Sequence, residues 1–145
     1  MLRIGEVAEQ TGLTPKTLRF YEEAGLLRPD SRSEAGYRLY REAAVERLRF
    51  IRSARSLGLG LDDIRQILDV TDQGRVPCEH ALQAVEQQID RIDAQIRRLS
   101  ELRGRLDTLR VRMVDVVTSG AVQPGQVCPC LSDEAARGID QGDRT

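Results

Sequence analysis

The stretch IGEVAEQTGLTPKTLRFYEEAG, residues 4 to 25, decides the fold. Ile4, Val7 and Ala8 recur at the i, i+3, i+4 interval of one helical face, and Gly12 stands where a left-handed C-terminal cap would end that helix. Thr14 and Pro15 then supply an N-cap followed by proline at the first helical position, opening a second helix that runs to Ala24 and stops at Gly25. Two short helices joined by about three residues make a helix-turn-helix. In the second helix, Leu18 and Phe20 are expected to face the core. Lys16, Thr17, Arg19 and Tyr21 are left for surface duties, together with the cap residue Thr14. These are DNA-contacting types: a helix start can offer backbone N–H groups and hydroxyls to phosphate, and an arginine can reach a guanine edge.

Outward from this core, residues 28 to 40 place turn formers around Glu34, Ala35 and Gly36 and then alternate Tyr37, Arg38, Leu39 and Tyr40. The pattern predicts a small β-hairpin, a wing, with Arg32 and Arg38 on its two strands and the hydroxyls of Tyr37 and Tyr40 within reach of phosphate. Arg41 to Leu57 repeats apolar residues at helical spacing through Val45, Leu48, Ile51 and Ala54, and Gly58 to Gly60 stop it. Leu61 to Val70 forms a further short amphipathic helix.

Composition agrees with a small, mostly helical head. Five aromatic residues and no Trp in 145 leave the core to Leu, Ile, Val and Ala. The net charge of −1 conceals a polarity: residues 1 to 60 hold 11 Lys and Arg against 8 Asp and Glu, and the remainder holds 11 against 15. A basic front and an acidic rear suggest that only the front meets phosphate, although a solvated mixed-charge surface would look the same. The N-terminus lacks a basic stretch followed by an apolar run, and no segment approaches about 18 uninterrupted apolar residues, so a soluble cytoplasmic protein with no membrane partner is expected.

The second half carries a different signal. From Leu82 the apolar residues Val85, Ile89, Ile92, Ile96 and Leu99 alternate spacings of 3 and 4, and continue as Leu102, Leu106, Leu109, Met113 and Val116 after one phase slip. This is a coiled-coil seam. A helix over 81–117 would extend about 55 Å, and so narrow a strip cannot be buried by so small a head. A partner helix is required, and a homodimer is the simplest source.

Three cysteines, all beyond residue 77, make no disulfide framework. Cys128 and Cys130, one residue apart, can hold one soft cation, and a third thiol would complete a thiolate-rich site. Cys78 follows Pro77 at the start of the long helix, where the dipole favours an anion, and His80 is a candidate fourth ligand. An antiparallel dimer would bring Cys78 of one subunit beside the cysteine loop of the other, giving two equivalent sites. A thiol sensor of oxidants or electrophiles is the rival use of the same residues. A [2Fe–2S] cluster would want four thiolates close together. Catalysis is not expected: there is no Ser/His/Asp set, no phosphate-cradling glycine loop and no carboxylate pair in a cleft.

RIGEVAEQTGLTPKTLRFYEEAGLL, then SEAGYRLY, then FIRSARSLGLGLDDIRQIL together resemble the mercury-resistance-regulator (MerR) family, over residues 2 to about 70. The resemblance implies a mostly α fold: a winged helix-turn-helix head followed by a long helix forming an antiparallel coiled-coil dimer. It implies DNA contacts at Thr14, Lys16, Thr17, Arg19, Tyr21, Arg32, Tyr37 and Arg38. It further implies an activator that bends and untwists promoter DNA with an overlong spacer so that RNA polymerase can engage, at a deformation cost of order a few kcal/mol. A cysteine at the Cys78 position, in place of serine, goes with divalent ions in this family, so zinc, cadmium, lead and mercury are all admissible effectors. Such sensors carry one loop cysteine at the helix end, near Met113 to Val116 here, and this sequence has none there. The expected organisation is a DNA-binding domain at 1–70, a linker at 71–80, a dimerisation helix at 81–117, a metal-binding loop at 118–132, and a short helix with a disordered tail at 133–145.

Overall fold

The computed structural model describes residues 1–132; the short helix and tail expected at 133–145 lie outside the described residues. The chain divides into two units, Met1–Asp90 and Arg91–Thr145.

The first unit starts with a two-residue strand, β1 (Leu2–Arg3), and passes directly into α1 (Ile4–Thr11). The N–H of Arg3 donates to Glu6 at 2.7 Å, closing the helix start, and Gly12 ends it at φ 68°, a conformation that costs an L side chain dearly. α2 (Pro15–Glu23) starts as its residues dictate: Pro15 occupies the first position and the Thr14 hydroxyl accepts the Thr17 N–H at 3.1 Å. β2 (Ser31–Arg32) and β3 (Arg38–Tyr40) form the wing, in register Arg32 opposite Arg38. β1 pairs with the other edge of β3, Leu2 opposite Tyr40, so the expected two-stranded hairpin is in fact a three-stranded antiparallel sheet of order β1-β3-β2. The third strand ties the N-terminus to the wing. α3 (Glu42–Ser56) and α4 (Leu61–Asp72) follow, and α5 (Cys78–Ser119) opens after a short connection.

One core serves all of these elements. Val7, Leu18, Leu26, Leu27, Tyr40, Leu48, Ile51 and Ile64 are its largest fully buried side chains. Ala84, from the first turns of α5, is buried in the same cluster, with Ala81 packed beside it. Gln88 adds a bond to the Leu57 carbonyl at 3.3 Å, so the opening of α5 is part of the head.

Two aromatic placements correct the sequence expectation. Phe20 is 49% exposed, whereas Tyr21 is buried in the core. The physical reason is helical phase: Tyr21 lies three residues after Leu18 and shares its face, while Phe20, two residues after Leu18, points away. Tyr21 is therefore a packing residue and not a free surface contact. Tyr40 is also fully buried, so its hydroxyl does not extend to the surface as a strut toward phosphate.

α5 is 42 residues long and starts at Cys78, three residues earlier than expected, with α4 extending to Asp72 and shortening the linker. Its seam is open to solvent: Val85, Ile89, Ile92, Ile96, Leu99, Leu102 and Leu106 are all exposed, Leu99 by 65%. Within the second unit, Leu109 departs from this pattern and is buried. Among the described residues, no helix is long and apolar enough to cross a membrane.

Candidate nucleic-acid interface and cysteine sites

The start of α2 presents Thr14, Lys16 and Arg19 as exposed side chains, with Thr17 half-buried. The two threonines spend much of their hydrogen-bonding capacity on each other: their hydroxyls lie 2.8 Å apart, and the Thr14 oxygen also caps the Thr17 N–H. The Leu18 N–H is bound to the Thr14 carbonyl, and Pro15 has no N–H. In the first turn this leaves the Lys16 N–H as the donor without an intrahelical partner, beside its own ammonium group. One peptide donor and two long cations, Lys16 and Arg19, form the anion-facing end of this helix.

The wing tip is built by local bonds. Ser33 accepts the Tyr37 N–H at 3.1 Å, Gly36 takes φ 83°, and Arg32 donates to the Gly36 carbonyl at 3.1 Å. Tyr37 stands 61% exposed, with the Arg3 guanidinium 5.6 Å from its ring centre. That distance is within cation–π range. Arg3 reaches this point because β1 lies beside β3, a contact the sequence did not reveal. Arg38, across the sheet register from Arg32, places Nε 2.9 Å from Glu22. The Tyr40 hydroxyl donates to the other oxygen of the same carboxylate. Burial first, then the Glu22 bond and charge, push the Tyr40 hydroxyl well above the ordinary tyrosine range, so it stays a donor.

The basic excess of the front half is not all surface charge. Arg52 in α3 donates to the Thr11 carbonyl at the end of α1, at 2.7 Å, and Arg65 in α4 donates to the Ala24 carbonyl at the end of α2, also at 2.7 Å. Arg47 bonds the Leu26 carbonyl at 2.7 Å and grips Asp72 with both terminal nitrogens, at 2.6 and 3.0 Å. Arg52 and Arg65 satisfy carbonyls that helix ends leave without partners, and Arg47 satisfies one in the loop after α2. Arg47 and Arg52 belong to the basic first 60 residues yet serve the fold, and Arg65 does the same from the acidic remainder. No local pattern could have singled them out, since Arg52 and Arg65 each bridge 41 positions.

The thiols fall in both units. Cys78, the first residue of α5, is exposed, as is His80 in the next positions of the same turn. Cys128 is half-buried and Cys130 buried, and residues 129–132 are helical, with the Ser132 N–H and hydroxyl both donating to the Cys128 carbonyl at 3.2 Å. All three cysteines are free. Among the described residues of the single chain, no group of three or more His, Cys, Asp or Glu is assembled around one point.

The model of the MerR HTH family regulatory protein matches residues 2–71, and that of the MerR DNA-binding region matches residues 45–109. The chain is 32% identical to the HTH-type transcriptional regulator ZntR of Escherichia coli K12 over 145 residues, covering 98% of this chain and 99% of that protein. Among solved structures, the transcription regulator PbrR691 of Ralstonia metallidurans CH34 in complex with lead(II) has a TM-score of 0.68 at 37% identity, covering 76% of this chain and 86% of that one. HiNmlR, a MerR family regulator lacking the sensor domain and bound to promoter DNA, has a TM-score of 0.53 at 26% identity, covering 82% and 90%. The head of two capped helices and a wing, the long fifth helix and these relatives agree: the chain belongs to the MerR family of helix-turn-helix transcription regulators.

Proposed function

We propose that the protein is a homodimeric, metal-responsive regulator of promoter DNA. It takes a soft divalent cation between Cys78 of one subunit and Cys128 and Cys130 of the partner subunit. The observation that carries the dimer is the row of exposed apolar residues along α5 from Leu82 to Leu106. Eight such side chains left about half in water forfeit roughly 1 kcal/mol each, and a second copy of the same helix is the natural cover. Antiparallel pairing of two identical rods sets the opening of one against the end of the other, which brings Cys78 to the partner's late loop.

The donor chemistry fits a soft metal: three free thiols, with His80 as a fourth candidate, favour zinc, cadmium, lead or mercury over hard cations. The similarity to ZntR and to the lead(II) complex of PbrR691 supports the same class of effector. The bound cation would hold the ends of the two rods together.

On DNA, Lys16 and Arg19 with the start of α2 enter the major groove, Thr14 and Thr17 shape that start, and Arg32, Tyr37 and Arg38 of the wing take the flanking phosphates. Ala84 and Gln88 join the opening of α5 to the head, and a change transmitted along α5 would reach the DNA-binding helices through them. Activation then consists of bending and untwisting the promoter spacer for RNA polymerase, a distortion of a few kcal/mol that metal binding can bias.

The test is titration of the reduced protein with each of the four metals, following thiolate-to-metal absorption, beside a Cys78→Ser variant. The variant is expected to lose at least about tenfold in affinity for the preferred metal. Unchanged affinity for every metal would reject the site. A DNA response that reductant alone abolishes would transfer the cysteines to a disulfide switch.

A further inference from the structure

Glu22 sits at the end of α2 opposite the Thr14 cap, with its side chain only 12% exposed. A carboxylate so nearly buried is tolerated when both oxygens have donors, and here each has one: Arg38 Nε on one, the Tyr40 hydroxyl on the other. A single side chain therefore clasps the recognition helix to the central wing strand.

The clasp has a consequence for Arg38. A guanidinium carries five N–H donors in a rigid plane, and engaging Nε fixes that plane while four donors remain on the terminal nitrogens. An arginine on a two- or three-residue strand would otherwise sample several rotamers and lose that freedom on binding. We propose that Glu22 is a positioning residue for DNA recognition: by holding Nε of Arg38 it aims the rest of the guanidinium at a backbone phosphate, despite the repulsion between its own charge and that phosphate. The inference rests on the wing meeting DNA through Arg38.

The probe is a duplex selected by the wild-type protein from a random-sequence pool, with affinity read by fluorescence anisotropy at several salt concentrations. Arg38→Gln is expected to lower affinity and to reduce the slope of log affinity against log salt by about 1.8, the value for one phosphate contact from each of the two subunits. Glu22→Gln keeps one acceptor oxygen for the Tyr40 hydroxyl but sets an amide NH2 against Arg38 Nε, so it retains the Tyr40 bond while releasing the guanidinium. It should lower affinity about fivefold in the wild-type background and leave it unchanged in the Arg38→Gln background, since the loss passes through one charge-assisted bond. Tyr40→Phe serves as the folding control, lowering the melting temperature while DNA affinity holds within about twofold. A gain in affinity on Glu22→Gln would make the residue a repulsive charge and overturn the proposal. Equal losses in both backgrounds would make it a structural one and overturn it too. If Arg38→Gln changed neither affinity nor slope, the wing-contact reading would fall, and the inference with it.

Discussion

The head and the long helix solve the same problem in opposite ways. The head seals its apolar residues inside its own chain, with Leu18, Leu48, Ile51, Ile64 and Tyr40 fully buried. The helix α5 carries as regular an apolar pattern and leaves it in water, with Ile96 55% and Leu99 65% exposed. Periodicity alone shows that a face will be covered; it does not say by what. In the head the cover is the same chain, with α1 to α4, the opening of α5 and a small sheet closing on one core. On α5 the cover we propose is a second copy.

Four changes would break or sharpen that contrast. Ile96→Asp puts a charge near the middle of the seam and, by symmetry, does so twice in each dimer. It is expected to cost about 4 kcal/mol or more, raising the dissociation constant about a thousandfold, as sedimentation equilibrium would show. The head should keep its secondary structure in circular dichroism. Leu48→Ala opens a cavity in the sealed core and should cost about 3 kcal/mol of head stability in urea unfolding, with the dimer constant little changed. If Leu48→Ala split the dimer as severely as Ile96→Asp, the two regions would not be the separate designs described.

Thr14→Ala removes the α2 cap and should cost about 1 kcal/mol of head stability in urea unfolding, together with a loss of DNA affinity while the dimer constant stays unchanged. The smallest effect belongs to Asp72, whose carboxyl the bond to Arg47 holds below its ordinary 3.8. A depressed carboxylate stabilises the fold above its unfolded value and ceases to do so as pH falls through the lower folded value. Asp72→Asn should therefore remove part of the stability present near neutral pH and flatten the acid limb below pH 3.8. With Asp72 53% exposed, solvent screening holds the whole effect under about 1 kcal/mol.

Much of this architecture was legible in the sequence because it rests on local rules. The Thr14 cap, Pro15, Gly12 and the placing of Arg32 and Arg38 on the two wing strands depend on residues within a few positions of one another. The seam was legible because it repeats. What escaped depends on distant partners. β1 is two residues long and becomes a strand only because Leu39 and Tyr40 lie beside it. Arg47 and Arg52 count toward a basic front until the Leu26 and Thr11 carbonyls they bind are folded against them. The exchange of Phe20 and Tyr21 is a case where the signal was present: the i, i+3 relation to Leu18 outweighs the polarity of a phenol, whose ring is mostly apolar. For the thiols, the residue types point to a soft cation, while the meeting proposed for them depends on a second chain that a sequence cannot display.

The central claim is that one metal site draws on two subunits, and subunit mixing tests it most directly. A Cys78→Ser protein and a Cys128→Ser/Cys130→Ser protein each lack part of every site, so neither alone should show cadmium–thiolate absorption at stoichiometric metal. When the two are mixed and exchange at random, half of the dimers pair an intact Cys78 with an intact loop once, and about one quarter of the wild-type absorption should return. Recovery of that signal is the result this account requires. No recovery after verified exchange, or full absorption in either parent alone, would contradict it.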